Sequence, residues 1–188
     1  YIATINLDFI ANAIGYFGIK NREFIKVLRE AKLSCADGMP LVALSRLFGN
    51  PLPERVTGQD LFPLIAKEFA ITNRRLFLLG GTKEILERCS QKLLLENPLI
   101  KIVGELSPRI NVNGDALKQA IQRDQPIIEK INESSPDLLF LQLGSPKQEL
   151  WFSRVQSELK VPVAIGIGGT FERYTGHVAR APEWMQDT

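Results

Sequence analysis

The chain has 188 residues, of which 45% are hydrophobic and 23% are charged, a composition typical of one globular domain with a substantial core. Its 23 Lys and Arg residues against 21 Asp and Glu residues leave a net charge of only +2, and no basic cluster is interleaved with aromatic residues, which argues against a nucleic-acid partner. No apolar run approaches the roughly 18 residues that a membrane-spanning helix needs.

The two cysteines, Cys35 and Cys89, lie far apart in the sequence, without CxxC spacing and without a neighbouring histidine. This pattern indicates neither a disulfide framework nor a zinc site, and it favours a reducing cytoplasm. The first residue is Tyr1 rather than Met, and the sequence Tyr-Ile-Ala-Thr at 1–4 is typical of the interior of a strand. We therefore expect residues 1–188 to form a single domain that belongs to a longer protein.

Apolar spacing and Gly/Pro punctuation predict alternating strands and helices in the first half of the chain. Strands are predicted at 2–4, 33–36 and 75–79, and helices at about 9–17, 22–31, 39–48, 59–71 and 83–96. The apolar positions predict one face of the helix at 39–48, formed by Leu41, Leu44, Ser45 and Phe48. In the same way, the helix at 59–71 is expected to bury Leu61, Leu64, Ile65 and Phe69.

The alternation continues in the second half, with strands predicted at 101–103, 138–143 and 162–166. A long helical region at 116–133 contains Pro126, which is expected to kink or divide it. Ser145 is suited to cap the helix that follows the strand at 138–143, and this helix is predicted to end at about Leu159. Strands that alternate with helices throughout predict a doubly wound α/β fold, with a mainly parallel sheet and helices on both faces.

Small or polar residues follow the main predicted strands, and in a parallel sheet these strand ends meet at the edge where ligands of open α/β folds bind. Glycines let the backbone come close to a ligand, and helix N-termini present free N–H groups with a partial positive charge. The pairs Gly80 with Gly81 and Gly168 with Gly169, together with nearby Lys and Arg residues, favour a nucleotide-like ligand over plain turns. Gln148, at the start of a predicted helix, is placed to reach the same edge.

Motifs of several other enzyme classes do not fit the sequence. Phe171 occupies the position of the third glycine of a dinucleotide fingerprint, which makes a nicotinamide-dependent oxidoreductase improbable, and Gly-Gly-Thr-Lys at 80–83 lacks the spacing of a P-loop. No G-x-S-x-G elbow is present and His177 is the only histidine, so a Ser-His-Asp triad has little support. The sequence has no D-x-D pair for a divalent cation, which disfavours a metal-dependent mechanism.

Five polar residues at the strand ends have both a functional and a structural interpretation. Asp37 follows an apolar strand and is suited either to accept a proton from a substrate hydroxyl or to cap the helix at 39–48. Arg55 is suited to pair with phosphate, or is an ordinary exposed arginine. Thr4 and Asn6 are suited to hydrogen-bond a sugar or a base, or to cap the next helix. Glu172 is a second polar ligand or general base, or caps a loop.

Seven short motifs in this chain together resemble the WecG/TagA/CpsF family of bacterial glycosyltransferases. They occur in the family's order and cover nearly the whole chain: Thr-Ile-Asn at 4–6, Ala-Asp-Gly-Met-Pro at 36–40, Glu-Arg-Val-Thr-Gly at 54–58, Phe-Leu-Leu-Gly-Gly at 77–81, Leu-Gly-Ser-Pro-Lys-Gln-Glu at 143–149, Gly-Ile-Gly-Gly-Thr-Phe at 166–171 and Arg-Ala-Pro-Glu-Trp at 180–184. Each motif is weak alone, and the ordered set is highly specific.

The resemblance implies a cofactor-free, metal-independent and inverting transfer of a sugar from a UDP-sugar to a polyprenyl-diphosphate-linked saccharide. In well-known members the donor sugar is N-acetylmannosamine or its uronic acid, and the products serve the synthesis of wall teichoic acid, enterobacterial common antigen or exopolysaccharide. Carried over by motif, the family's proposed base falls on Asp37, and its substrate pocket falls on Thr4, Asn6, Arg55 and Gln148. The acceptor implies a cytoplasmic protein that is bound peripherally to the inner face of the bacterial plasma membrane.

The sequence departs from the family pattern in two respects. Glu172 stands where the family usually has Asp, which keeps the charge and lengthens the side chain. The family also has a strand and a helix before the position of Thr4 and an Arg-rich appendage after the Arg-Ala-Pro motif, and we expect both to lie outside these 188 residues. Family members tend to form homo-oligomers. The alternative function is a non-catalytic module of the same fold that binds a nucleotide-sugar without transferring the sugar.

Overall fold

Strands and helices alternate along the chain in the structure, a computed structural model that describes residues 1–15, 21–112 and 117–179. Within these residues the strands are β1 (Ile2–Ile5), β2 (Leu33–Ala36), β3 (Arg75–Gly80), β4 (Lys101–Leu106), β5 (Leu138–Gln142) and β6 (Val163–Gly166). The helices are α1 (Leu7–Ile14), α2 (Arg22–Glu30), α3 (Met39–Leu47), α4 (Gly58–Ile71), α5 (Lys83–Glu96), α6 (Leu117–Ser134), α7 (Lys147–Val155) and α8 (Thr170–Tyr174). The predicted helical positions 16, 17 and 116 and the motif at 180–184 lie outside the described residues.

The six strands form one parallel sheet in the order β2-β1-β6-β5-β3-β4. Leu138 at the start of β5 pairs with Leu76 of β3 on one side and with Val163 of β6 on the other. Every residue of β5 is buried, as its nearly continuous apolar sequence predicts for a strand that is covered on both faces. The predicted doubly wound α/β fold is confirmed.

Two hydrophobic cores hold the helices against the two faces of the sheet. Successive side chains of a strand point to opposite faces, so Leu76 and Leu78 of β3 contribute to one core, and Phe77 and Leu79 contribute to the other. Residues of α4, α5 and α8 complete the first core, and residues of α6 and α7 complete the second. Each face of the sheet is therefore covered by its own set of helices.

The order of the strands opens a crevice at the carboxyl edge of the sheet. After β3 the chain continues to β4 on one side, whereas after β5 it continues to β6 on the other side. Because β3 and β5 are neighbours, the connections that follow them leave the sheet in opposite directions, and ligands of doubly wound folds bind at such a point. Gly81 and Leu143, which follow these two strands, border the crevice.

The buried face of α4 overlaps the predicted one only in part: Ile65 and Phe69 pack against the core as predicted, whereas the most deeply buried residues lie outside the predicted set. Phe62 and Ala66 have no exposed surface, whereas Leu64 is 64% exposed. The ring of Phe62 packs edge-on against Phe140 of the sheet and Phe171 of α8, with centroids 4.9 and 5.3 Å apart. Apolar residues lie all around this helix, so their spacing does not select one face, and the space between the sheet and α8 selects the aromatic side chain.

The apolar face predicted for α3 is only partly buried. Val42 is the buried residue of this helix, while Leu44 is 38% and Phe48 is 75% exposed. This helix packs mainly beside β2, which is an edge strand. A helix at the edge of a sheet has little surface to bury, and apolar residues remain exposed as a result.

Three local predictions in the second half differ from the structure. Pro126 does not divide α6, because the helix is anchored on both sides of the proline by buried residues such as Asp124 and Ile128. The N-cap of α7 is Pro146 rather than Ser145, and no side chain caps this helix. The same helix ends at Val155, four residues earlier than the predicted Leu159. Capping and end signals are local, and they place the ends of a helix only to within a few residues.

The contrast within α4 yields a test of this packing. Phe62→Ala should lower the free energy of unfolding by about 3–5 kcal/mol, because it leaves a cavity among three aromatic rings. Leu64→Ala, on the exposed face of the same helix, should change it by less than about 0.5 kcal/mol. Urea titration followed by circular dichroism measures both variants. Equal losses for the two variants would show that the buried face is misassigned.

Candidate active site

The strand ends bring most of the predicted site residues to the carboxyl edge of the sheet. Asn6 follows β1, Asp37 follows β2, Gly81 follows β3 and Gly168 follows β6. The backbone N–H of Asp37 donates to the carbonyl of Ile5 at 2.6 Å, which ties the end of β2 to the end of β1. The parallel register thus assembles residues that are far apart in the sequence.

Asp37 lines a cavity between the first turns of α1 and α3. The cavity has a volume of about 230 Å³, and it is lined by Asn6, Leu7, Asp8, Asp37, Gly38, Pro40 and Leu41. The carboxylate of Asp37 is half-buried and accepts a hydrogen bond from the backbone N–H of Gly58 at 3.4 Å. The N-cap of α3 is Gly38, and no side chain caps this helix. Asp37 therefore does not serve the structural role that its sequence position also suggested.

The surroundings of Asp37 keep its carboxylate basic. Burial raises the pKa of Asp37, and the nearby carboxylate of Asp60 raises it slightly further. The N–H of Gly58 and the positive charges of Arg55 and Arg173 oppose this effect without cancelling it. A carboxylate with a raised pKa takes up a proton more readily, as a general base must do.

Arg55 is held in place by an ion pair at the start of α4. Its guanidinium lies 3.5 Å from the carboxylate of Asp60, and the arginine side chain is only 20% exposed. The hydroxyl of Thr57 caps the helix by accepting from the N–H of Asp60, and it also donates to the Asp60 carboxylate at 2.7 Å. Arg55 is therefore not an ordinary exposed arginine, since its charge is fixed near Asp37.

Thr4 and Asn6 both have structural partners. Thr4 is 3% exposed, and its hydroxyl donates to the carbonyl of Gly166 at 2.8 Å, which joins β1 to β6. The side-chain oxygen of Asn6 caps α1 by accepting from the N–H of Phe9 at 3.2 Å. Asn6 also lines the cavity of Asp37. Of these two predicted pocket residues, the structure brings only Asn6 to the cavity of Asp37.

Gln142 joins two of the predicted site segments, and sequence reasoning did not select it. Its amide nitrogen donates to the carboxylate of Glu172 at 2.6 Å, and its amide oxygen accepts from the N–H of Phe171. Its backbone carbonyl accepts from the N–H of Gly81 at 3.1 Å. The neighbouring Gly80 lies so close to this carbonyl that a Cβ atom would overlap it. The signal in the sequence was that Gln142 is the one polar residue in an otherwise apolar strand.

The loop after β6 carries both of the remaining predicted glycines. Gly168 has a φ of +55°, and Gly169 is the N-cap of α8. The guanidinium of Arg173 donates to the carbonyl of Gly169 at 3.3 Å. Arg173 was not predicted, because it follows the family motif and has no distinctive spacing of its own.

A buried polar cluster lies under the start of α7. Gln148 is fully buried, and neither atom of its amide group has a hydrogen-bond partner among the described residues. It packs against Gly166, beside the hydroxyl of Tyr1. The next residue, Glu149, is also fully buried and accepts from the Tyr1 hydroxyl at 2.8 Å. Burial raises the pKa of Glu149 to about 7, and the neighbouring amide of Gln148 and the hydroxyl of Tyr1 oppose that rise only in part.

The described part of the chain contains neither a cluster of metal-ligating side chains nor a helix that could span a membrane. Among residues 1–15, 21–112 and 117–179, no group of three or more His, Cys, Asp or Glu side chains is arranged to hold a metal ion. In the same part of the chain, no helix is both long enough and apolar enough to cross a bilayer.

The fold and the strand-end residues define a doubly wound α/β protein with a basic carboxylate at the carboxyl edge of its sheet. The chain belongs to the glycosyl transferase WecG/TagA/CpsF family, because the sequence model of that family matches residues 1–188. The predicted resemblance is thereby confirmed.

Several relatives of the chain are bacterial proteins that carry the name of a mannosaminyltransferase. The chain is 31% identical to the N-acetylglucosaminyldiphosphoundecaprenol N-acetyl-beta-D-mannosaminyltransferase of Bacillus subtilis (strain 168), over 98% of the chain and 66% of the relative. It is 30% identical to the enzyme of the same name from Bacillus spizizenii, over 98% of the chain and 69% of the relative. The corresponding identity for Staphylococcus aureus (strain NCTC 8325 / PS 47) is 25%, over 97% of the chain and 65% of the relative. The chain thus spans about two thirds of the length of these relatives.

The pKa of Glu149 predicts a pH-dependent contribution to stability. An unfolded chain ionises this carboxyl near its ordinary pKa of 4.5, whereas the folded chain ionises it only near 7. The contribution is therefore fully present below pH 4.5, decreases as the pH rises, and is lost above pH 7, with a total of roughly 3 kcal/mol.

Glu149→Gln isolates this effect, because glutamine keeps an acceptor for the Tyr1 hydroxyl and cannot ionise. Urea unfolding at a series of pH values should show that the variant gains stability relative to the wild type between pH 4.5 and 8, by roughly 3 kcal/mol. A difference between the two proteins that stays constant over this range would contradict the raised pKa.

Proposed function

We propose that this protein is an inverting, metal-independent glycosyltransferase that moves a sugar from a UDP-sugar to a polyprenyl-diphosphate-linked saccharide. The observation that carries the proposal is Asp37: a half-buried carboxylate with a raised pKa, which lines a cavity and does not cap its helix. Membership of the family supports the reaction type. The names of the relatives support an N-acetylmannosamine-type donor sugar and a diphosphoundecaprenol-linked N-acetylglucosamine as the acceptor.

In the proposed reaction, an acceptor hydroxyl attacks the anomeric carbon of the donor sugar from the face opposite the diphosphate. The new C–O bond forms as the bond between the anomeric carbon and the β-phosphate oxygen breaks, and that oxygen leaves with the electron pair as part of UDP. The carboxylate of Asp37 takes the proton of the attacking hydroxyl. A single displacement of this kind inverts the configuration of the anomeric carbon.

Without a metal ion, the charge that develops on the departing diphosphate must be stabilised by the protein itself. Backbone N–H groups and positively charged side chains fixed in advance supply this stabilisation, since they need no rearrangement during the reaction. The loops at Gly81 and Gly168 and the fixed charge of Arg55 are the groups of the predicted site that suit this role. We further propose that Glu172, which accepts a hydrogen bond from Gln142, also accepts one from a hydroxyl group of the donor.

The proposed acceptor also indicates the cellular location of the protein. A polyprenyl-diphosphate carrier is anchored in the lipid bilayer, whereas a UDP-sugar is a water-soluble molecule of the cytoplasm. An enzyme that joins the two must work at the surface of the membrane. We therefore propose a peripheral location at the inner face of the bacterial plasma membrane.

Replacement of the proposed base tests the mechanism directly. Asp37→Asn should reduce turnover by at least about a hundredfold, because the variant cannot accept the proton of the attacking hydroxyl. UDP affinity, measured by calorimetry on the full-length protein, should stay within about threefold of the wild type. Turnover is followed as UDP release with a panel of UDP-sugars and a short-chain lipid-diphosphate acceptor.

Asp137→Asn is the matched control for this experiment. Asp137 precedes β5 at the opposite edge of the sheet, where its carboxylate accepts from the N–H of Arg75 at 2.8 Å. Asparagine keeps an acceptor for that bond, so turnover should be nearly unchanged. An active Asp37→Asn protein would rule out the proposed base, and a wild-type protein that binds UDP but transfers no sugar would favour the non-catalytic module.

Chelation tests the proposed independence from metal ions. Turnover of the full-length wild-type protein in excess EDTA should equal turnover with added Mg²⁺ or Mn²⁺, because the diphosphate is stabilised by protein groups alone. Loss of turnover in EDTA that is restored by a divalent cation would refute this part of the proposal.

A further inference from the structure

A second cavity lies next to the Asp37 site, on the other side of Gly58. It has a volume of about 230 Å³ and is lined by Gln59, Pro63, Lys92, Thr170, Arg173 and Tyr174, none of which lines the cavity of Asp37. Gly58 connects the two cavities: its N–H donates to Asp37, and a Cβ atom at this glycine would lie 3.1 Å from the hydroxyl oxygen of Thr170. The second cavity is thus immediately adjacent to the proposed base.

The side chains that line this cavity are positively charged or neutral. Lys92 donates to the carbonyl of Tyr174 at 2.8 Å and lies 4.5 Å from the centre of the Tyr174 ring. Lys92 also pairs with the carboxylate of Glu96 at 3.8 Å, so its charge is already balanced. Among the described residues no carboxylate lines the cavity itself, which is therefore suited to an anion rather than to a cation.

Arg173 is the cation of this cavity that remains available to a ligand. It is exposed, it donates to the carbonyl of Gly169, and no carboxylate of the described residues forms an ion pair with it. Arg55, in contrast, is already paired with Asp60. A guanidinium presents several N–H donors in a planar fork that matches the oxygens of a phosphate group.

Gln59 adds an adaptable polar group to the wall of the cavity. The oxygen of its amide is buried and has no hydrogen-bond partner among the described residues. Nothing therefore fixes the amide in this orientation, and a half-turn of its last torsion exchanges the oxygen and the NH₂ group. Because the residue lines the cavity and its amide is not held in one orientation, the NH₂ group is free to turn toward an anion there.

We propose that this cavity is a diphosphate subsite, in which the guanidinium of Arg173 binds the phosphate oxygens and the amide of Gln59 donates a further hydrogen bond. This inference rests on the proposed function in one respect, which is that the reaction contains two diphosphates, one in the UDP-sugar and one in the lipid-linked acceptor. Both present the same chemistry to the cavity.

The position of Arg173 also explains why this subsite would matter for the reaction. Its positive charge acts on Asp37 and helps to keep that carboxylate ionised. A diphosphate bound between Arg173 and the start of α4 would place its reacting end near the base. Arg173 would then hold one substrate in position while its charge partly offsets the burial of Asp37.

Binding of inorganic pyrophosphate tests the subsite without requiring sugar transfer. Calorimetry on the full-length protein should detect binding to the wild type, and Arg173→Gln should weaken it at least about tenfold, because a charge-assisted contact is lost. Arg173→Lys should recover part of the affinity, since lysine keeps the charge without the planar fork. Equal affinity of wild type and Arg173→Gln, or no binding to the wild type, would overturn the proposal.

Arg88→Gln is the matched control, because it removes an exposed arginine of α5 that pairs with Glu84 at 2.8 Å. This variant should bind pyrophosphate as the wild type does. Thermal unfolding of each variant checks the fold, and Arg173→Gln should melt within about 2 °C of the wild type because its side chain is exposed. A weaker affinity for pyrophosphate in a folded Arg173→Gln protein then reports on the subsite alone.

Two further measurements identify which diphosphate occupies the subsite. If it belongs to the donor, Arg173→Gln should weaken UDP binding at least about tenfold and leave uridine binding unchanged. If it belongs to the acceptor, UDP affinity should be unchanged and the KM for a short-chain lipid-diphosphate acceptor should rise by a similar factor. No change in either measurement would refute the subsite. An active Asp37→Asn protein would refute the proposed base and leave the pyrophosphate result standing.

Discussion

The close approach of Gly58 to the end of β6 is the contact on which the candidate site depends. A Cβ atom at this position would lie 2.9 Å from the carbonyl oxygen of Ile167, so only glycine fits without displacing the backbone. The same residue donates its N–H to Asp37 and begins α4. One glycine therefore brings the end of β2, the start of α4 and the loop before α8 together. Any larger residue there would have to displace the backbone after β6, beside the proposed base.

The polar groups of the site are fixed by bonds that the sheet itself supplies. Gln142 extends from a fully buried strand to hold Glu172, and the hydroxyl of Thr4 joins two neighbouring strands. Buried hydrogen bonds of this kind are strong because few water molecules compete for them, and a buried group without a partner costs free energy. Gln148 is such a group, since both atoms of its amide are buried without a partner among the described residues. Gln148 has no exposed surface and lines neither the cavity of Asp37 nor the second cavity.

Most of the secondary structure was predictable because its signals are local. The start of β3 and both ends of α5 agree with the sequence pattern, and Thr82 caps α5 as a threonine before a helix often does. The buried faces were less predictable, as Leu64 and Phe62 illustrate. Both are apolar residues of one helix, and the shape of the space above the sheet decides which of them is buried.

The sequence by itself determined the doubly wound fold, the family and the set of residues at the strand ends. Short apolar strands and glycine turns are recognisable from neighbouring residues, and the order of the motifs is visible along the chain. Only the tertiary structure decided which of those residues lie close together. It showed that Asp37 does not cap its helix and that Arg55 is paired with Asp60. It also added Gln142 and Arg173 to the site. These contacts join residues that are distant in the sequence, and they depend on strand order and close packing, which no local pattern encodes.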